Sequence, residues 1–395
     1  MALTRVVTCA AVFNAAYAFA PIYSKAMPRV NSQRSAMKMA AVDTILVGCG
    51  VPNRGMGWFH AIQMLNGECP SCKLSAVVEP FFLGPGKEVP GGAEFGEFAA
   101  EWGEKGVQFT PKLEDLPPAD GPRMALIAGR TADNPKLLRD CIDIAGCTHL
   151  ILEKPGATTV ADLESMAEYA KEKGVSVMMG YNKNIANYVK NAREFEAANP
   201  GAATKFTSLN AYGRDELGEC FERNSEGLLK NMAIHELALA VTFYGVKASN
   251  IEDITINEAN SECLTIGDYT DFAKAEFTVT TSEGKSVTIY ADRCAGNECV
   301  ADVSVDGEVK FQSKMPDEED AKRIEKSQAA NPDWMPYFFL QENDYADLKE
   351  MCGAHALAGK MGAPEGIASI EIAIEALRVA EYLTPALREK MGVSV

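Results

Sequence analysis

The stretch Thr44-Ile45-Leu46-Val47-Gly48-Cys49-Gly50-Val51-Pro52-Asn53-Arg54-Gly55-Met56-Gly57 decides the first half of the chain. Four apolar or β-branched residues run into glycine, so Thr44–Val47 is predicted as a buried strand. From Trp58 to Leu65 the apolar residues recur at helical spacing. A glycine loop between strand and helix lets the backbone turn tightly and approach a pyrophosphate. The free N–H groups of the helix start then hold the anion. The usual third glycine of this loop would be residue 53, and here it is Asn53. Gly55 or Gly57 takes over if the loop is two residues longer. Gly48, Gly50, Asn53, Arg54, Gly55 and Met56 are thus the expected loop contacts of a dinucleotide.

The pattern continues outward from that loop. Leu74–Val78 is a second predicted strand and ends at Glu79, where a carboxylate can accept both ribose hydroxyls. No Arg or Lys follows closely (Pro80, Phe81, Phe82), which leans toward NAD over NADP. Met124–Ala128, His149–Leu152 and Val175–Gly180 read as further strands, with helices over Lys136–Ala145 and Val160–Lys173. Thr159 with Asp162 makes a start cap for the latter, and Gly174 a stop. Strands alternating with helices imply an α/β Rossmann domain with a parallel sheet and helices on both faces. Arg130 and Thr131, beyond the third of these strands, are expected on its ligand-binding edge.

After about residue 182 the pattern changes. Six strands are predicted at 204–212, 251–257, 273–281, 286–291, 300–305 and 308–312, several joined by turn signals such as Asp306-Gly307. They imply an α+β domain with a mostly antiparallel open sheet. A helix is predicted over Leu228–Tyr244, a surface excursion over Met315–Pro336, and helices again from Phe338 to Met391. The expected organisation is a presequence over 1–41, a nucleotide domain over 42–181 and a substrate and oligomerisation domain over 182–395.

Composition narrows the function. The chain has 395 residues and a net charge of −17, which argues against a nucleic-acid partner. A 47% hydrophobic share excludes a disordered body. No apolar run reaches the roughly 18 residues of a membrane span. Residues 1–42 carry Arg5, Lys25, Arg29, Arg34 and Lys38 and no acid. The apolar stretch Val6–Ala20 fits a signal peptide, and the basic, Ser-containing segment after it fits a transit peptide. The junction Ala18-Phe19-Ala20-Pro21 resembles the plastid-targeting junction of algae with secondary red plastids. The 11 cysteines are odd in number and scattered, so they are no disulfide framework. Cys69-Pro-Ser-Cys72 lacks the second pair that zinc would need, and no metal is expected.

Glu153-Lys154-Pro155 closes a predicted strand, at the edge where open α/β sheets bind ligands. A lysine there can hydrogen-bond a substrate hydroxyl or serve in proton transfer. A Rossmann start, Glu-Lys-Pro about 100 residues later and a helix carrying a histidine in the next domain resemble the glucose–fructose oxidoreductase/inositol dehydrogenase (Gfo/Idh/MocA) family. Gly180-Tyr181-Asn182-Lys183 also looks like that family's exit from the nucleotide domain. The resemblance implies a substrate site between the domains, with Glu153 and Lys154 at the nicotinamide. It also implies that His235 is catalytic, with an Asp four residues earlier, where this chain has Asn231. Asn cannot act as a base or stabilise an imidazolium as a carboxylate would. Lys183, Tyr188 and Lys230 are expected at the substrate, with Asn182, Arg214 and Arg223 as further cleft residues. His60, His149 and His355 read as structural.

The expected activity is hydride transfer between NAD or NADP and a hydroxyl/carbonyl of a sugar, polyol or sugar acid, in a homo-oligomer by analogy. Asn231 motivates one alternative, a cofactor-binding sensor without turnover; a third reading is elimination or epimerisation without net redox.

Overall fold

The computed structural model describes residues 41–393. The expected presequence therefore lies outside the described residues, apart from Ala41. In chain order the first sheet is built from β1 (Val42–Val47), α1 (Met56–Leu65), β2 (Cys72–Val78), α2 (Gly92–Glu104), β3 (Gln108–Thr110), β4 (Arg123–Ile127), α3 (Asn134–Asp143), β5 (His149–Leu152), α4 (Val160–Lys173) and β6 (Ser176–Met179). The strand order is β3-β2-β1-β4-β5-β6 and every pairing is parallel. The order reverses beside β1, so the glycine loop sits at the switch point. Every residue of β4, β5 and β6 is buried, as strands covered on both faces must be. Thr159 caps α4 by accepting from the Asp162 amide, and Gly174 ends it at φ 65°. The short β3 and the helix α2 are not among the elements expected from the sequence, although Phe95, Phe98, Ala99 and Trp102 of α2 recur at helical spacing and pack into the core.

The chain then runs through α5 (Asn187–Ala198), β7 (Ala203–Ala211), α6 (Leu217–Arg223), α7 (Leu228–Asn231) and α8 (Ile234–Tyr244). Next come β8 (Ile251–Ile256), β9 (Glu262–Ile266), β10 (Tyr269–Thr281), β11 (Ser286–Asp292), β12 (Cys294–Val305) and β13 (Glu308–Met315). Last are α9 (Glu318–Ala330), α10 (Pro336–Leu357) and α11 (Ile370–Lys390). The second sheet has the order β13-β12-β7-β11-β10-β8, with β9 paired to β10. It is antiparallel except for the β7–β11 pair. β10 and β11 alternate between buried and half-buried residues, so one face packs on helices and the other is open. Both sheets lie within one compact unit.

Two expectations are corrected. The helix predicted over Leu228–Tyr244 is two helices, because the Ala233 amide reaches back five residues to the Leu228 carbonyl and breaks the regular ladder. The predicted excursion over Met315–Pro336 holds α9. Asp317 caps it through the Glu319 and Asp320 amides, and none of its residues is buried. A helix polar all round leaves no apolar stripe for a pattern search to find.

α1 approaches β1 very closely. A Cβ on Gly57 would stand 2.0 Å from the Gly48 carbonyl oxygen. Gly57 is therefore the glycine that sets the helix against the strand, and Gly55 supports it, since its Cβ would meet the Cys49 oxygen at 2.8 Å. Gly57→Ala should destabilise the fold by about 2 kcal/mol or more, because backbone must move to admit a methyl group. Gly96, exposed within α2 with open space around its Cα, should instead gain about 0.5–1 kcal/mol as Ala. Urea unfolding of both variants separates these signs; equal stabilities would refute the packing argument.

Candidate functional site

The site begins with the glycine loop. Gly48 and Gly50 take φ 82° and 73°, and Asn53 takes φ 65°, a left-handed value that asparagine tolerates better than most side chains. A Cβ on Gly48 would touch Gly129 backbone at 2.7 Å, so the loops after β1 and β4 are in contact. Gly55 caps α1 without any side-chain acceptor; the Trp58 amide donates to the Cys49 carbonyl at 2.6 Å, which leaves the Met56 and Gly57 amides of the first turn open to an anion. The loop is roofed by α10: Met335 donates its amide to the Asn53 carbonyl at 3.0 Å, and Tyr337 donates its hydroxyl to the Arg54 carbonyl at 3.4 Å.

Glu79 is buried under this loop. Its Oε2 accepts the Cys49 and Gly50 amides at 2.8 and 3.1 Å, and its Oε1 accepts the Phe81 amide at 3.1 Å. A carboxylate offers about four lone-pair positions, so acceptor capacity remains on Oε1. Arg130 is exposed and pairs with Asp133, and Thr131 opens a short turn of helix beside it. The tight cradle, the uncapped helix start and the residual acceptor on Glu79 fit a dinucleotide.

The second part of the site lies on the same sheet edge, after β5. Lys154 donates to the Asn231 carbonyl at 3.3 Å. Burial pulls its amine below the ordinary value; Glu153 pushes it up and Lys183 pulls it down. His235, at the start of α8, is buried, and Tyr181 stands edge-on to its ring at 5.7 Å. Burial, then the Lys154 and Lys183 charges, hold His235 well below its ordinary value, so its imidazole is neutral. His235 Nδ1, the Tyr181 hydroxyl and both polar atoms of the Asn182 side chain are buried without a protein partner. Burial raises the Tyr181 phenol further.

Lys183 is also buried, donating to Glu236 at 2.6 Å and to the Ser208 hydroxyl at 3.0 Å. Burial pulls it down, but the Cys299 thiol and the Glu236 carboxylate leave it above its ordinary value. Lys154, His235, Tyr181 and Lys183 thus come together. Glu236 and Tyr181 were missed as individual site residues. Glu236 had a signal, an acid next to His235, yet a buried glutamate on an apolar helix is found only with its ion-pair partner in view.

Other expected residues stand apart. Asn231 turns its side chain to Glu226, where Nδ2 donates to Oε1 at 2.7 Å, and only its backbone carbonyl faces Lys154. The break after α7 removes the single-helix geometry that would have aligned its side chain with His235. Lys230 pairs with Glu381 of α11 at 2.8 Å. Arg214 pairs with Glu262 at 2.5 Å, and Arg223 donates to the Tyr212 hydroxyl at 3.1 Å. Tyr188 is buried with an unpartnered hydroxyl and lines a different cavity, of about 710 Å3, between α5, β13, α9 and α10. His149 bonds the Lys360 carbonyl at 2.9 Å, and His355 bonds the Met361 carbonyl at 3.3 Å. No group of three potential metal ligands occurs among the described residues. No helix among them is long and apolar enough to cross a membrane.

Residues 90–181 match the Gfo/Idh/MocA model, described as an oxidoreductase family with an NAD-binding Rossmann fold. No curated protein sequence matches the chain. Among solved structures, the chain is similar to a probable dehydrogenase from Thermotoga maritima (17% identity, TM-score 0.64, covering 89% of this chain and 97% of that one). It is similar to myo-inositol 2-dehydrogenase from Lactobacillus plantarum (15%, 0.64, 89% and 98%). A third is GenD2 of gentamicin A biosynthesis, in complex with NAD (16%, 0.62, 88% and 95%). The fold is the Gfo/Idh/MocA fold. Its Rossmann half contains the matched residues 90–181, and its second half is the mixed, mostly antiparallel sheet.

The neutral His235 gives a pH prediction. Its pKa in the folded chain lies below the ordinary 6.5. The unfolded chain therefore takes up a proton first as pH falls, and this contribution to stability is present above pH 6.5 and lost below it. At pH 5.5 the loss is on the order of 1 kcal/mol. His235→Gln should flatten the fall in urea-unfolding free energy between pH 7.5 and 5.5 by about that amount; an unchanged slope would contradict a buried, neutral His235.

Proposed function

We propose that the chain is an NAD(P)-dependent oxidoreductase of the Gfo/Idh/MocA family. It transfers a hydride between the nicotinamide and a hydroxyl/carbonyl of a sugar, polyol or sugar-acid-like substrate. The observation that carries this reading is the convergence of Lys154 and the neutral His235 on the sheet edge that also holds the glycine cradle. The resemblance to a myo-inositol dehydrogenase favours a polyol.

The residues divide the work as follows. The loop Gly48–Gly57 and the start of α1 bind the pyrophosphate, and Glu79 accepts from the ribose. Glu79 and the apolar Phe81 and Phe82 offer no cation to a 2′-phosphate, so NAD is favoured. The bound nicotinamide supplies the hydride acceptor or donor. Lys154 hydrogen-bonds the reacting oxygen and polarises it. His235, neutral and with Nδ1 free of protein partners, exchanges the proton of the hydroxyl. Tyr181 and Asn182 offer further hydrogen bonds to a polyhydroxy compound, and Lys183 adds positive charge from behind.

A second reading, a cofactor-binding sensor, is favoured by one observation: the Asn231 side chain faces Glu226, so no acid from that position reaches His235. A panel of inositols, sugars and sugar acids with NAD and NADP decides between them. Reproducible nicotinamide reduction supports the enzyme, and Lys154→Ala should then lower turnover by about 100-fold or more with the cofactor dissociation constant unchanged. Full activity in Lys154→Ala would remove Lys154 from the mechanism; cofactor binding without reduction by any compound would leave the sensor.

We also propose that residues 1–41 direct the chain to an algal plastid of secondary red origin, on the strength of the acid-free composition and the Ala18-Phe19-Ala20-Pro21 junction. A fluorescent protein carrying these 41 residues should accumulate in the plastid, and cytoplasmic fluorescence would refute the assignment.

A further inference from the structure

Lys349 of α10 is fully enclosed. Buried lysines ordinarily rest on a carboxylate. Among the described residues this one makes no salt bridge; its Nζ donates to His60 Nδ1 at 3.1 Å and to Gln63 Oε1 at 2.6 Å. Gln63 is itself held, since its Nε2 donates to the Glu342 carbonyl at 2.6 Å and to Glu68 at 3.1 Å. An ammonium has donors and no acceptor, so Nδ1 of His60 must accept. The ring proton is thereby placed on Nε2, which donates to Glu153 Oε1 at 3.0 Å. The arrangement is an ion pair with one neutral imidazole inserted between its charges.

Its acidic end is the residue next to Lys154. The Glu153 carboxylate lies against backbone, where a Cβ on Gly180 would come within 2.5 Å of Oε1. Tyr345 stands edge-on to His60 at 5.0 Å and closes the other side. Pinning α10 on α1 would not require a charge. An apolar residue of similar volume would do so with a smaller desolvation cost.

We propose that Lys349 is a positioning residue for Lys154: through the imidazole of His60 it holds the Glu153 carboxylate in one orientation beside Lys154. This rests on the reading of Lys154 given under the proposed function. The charged and titratable groups facing Lys349 are His60 of α1, Glu68 and Cys69 from the turn after it, Cys72 at the start of β2, Glu153, and Tyr345 and Cys352 on its own helix. Those facing Glu153 are His60, Lys154, Tyr181, Tyr337 and Tyr345. Those facing Lys154 are Glu153, Lys183, Glu226, Glu236 and His235. Burial, then the Lys349 charge, lower His60, while Glu153 raises it.

The chain has four histidines, so nitrogen-15 labelling of histidine in the full protein is tractable. In the wild type, His60 should show a protonated Nε2 and an unprotonated Nδ1, and should not titrate between pH 6 and 9. Lys349→Met removes the repulsive charge and leaves Glu153, so His60 should take up a proton with a midpoint higher by about one pH unit or more. Lys349→Gln keeps a donor to Nδ1 without the charge. It should preserve the tautomer while still raising the midpoint, and it serves if Lys349→Met does not fold. With a substrate from the polyol panel, kcat of Lys349→Met should fall roughly ten- to hundredfold, its acid limb should move to higher pH, and KM for the cofactor should hold. A proton on Nδ1 in the wild type would overturn the proposal, as would a variant with wild-type His60 titration and an unmoved pH profile. If the tautomer and titration behave as expected but the wild type turns over no compound, the oxidoreductase reading fails and the Lys349–His60–Glu153 assignment stands.

Discussion

The close approach of α1 to β1 at Gly57 is the constraint from which the site follows. With any side chain at residue 57, the helix would have to stand off from the Gly48 carbonyl. Seated there, α1 begins directly over the loop, and its first-turn amides face the place where a pyrophosphate would lie. One turn later the same helix presents His60, which reaches Glu153 on the next strand edge but one. Phe59 stacks on Phe338 at 4.4 Å, with Trp58 edge-on to Trp334 at 5.5 Å, so α1 also fixes α10 and the segment before it. The glycine loop, the Glu153-Lys154-Pro155 turn and the roof of the loop are thus referred to one helix.

The electrostatics of the site rest on buried lysines and the acids beside them. Lys154 stands near Lys183, with Glu153, Glu226 and Glu236 around it, and Lys349 reaches Glu153 through His60. Burial pulls all three lysines down; Lys154 and Lys349 end below their ordinary value, while Lys183, paired directly with Glu236, ends above it. The two histidines on this network are both driven neutral. A neutral imidazole next to a lowered amine suits proton exchange with a hydroxyl.

Much of this was legible in the sequence, for reasons that differ by residue. β4, β5 and β6 each hold three or four apolar residues in a row, and such runs are visible without any partner. Glu79 and Lys154 were found because they terminate such runs, where an α/β sheet puts its ligands. The rest needed tertiary information. The third loop glycine could not be assigned between Gly55 and Gly57 until the Gly48 carbonyl was seen beside it. The break after Asn231 arises from one backbone hydrogen bond, Ala233 to Leu228, that no side-chain pattern announces. His60 read as structural because its partners, Glu153 and Lys349, lie 93 and 289 residues away. α9 was unreadable because it buries nothing.

The central claim is that a dinucleotide lies across the switch point with its nicotinamide turned toward Lys154 and His235. A crystal structure of the chain with NAD tests it most directly. The account predicts the pyrophosphate on the amides at the start of α1, a ribose hydroxyl on Glu79, and the nicotinamide bordering a space from which Lys154 Nζ and the His235 ring can each reach one hydroxyl at about 3 Å. A dinucleotide bound elsewhere, or a nicotinamide pointing away from both residues, would contradict it.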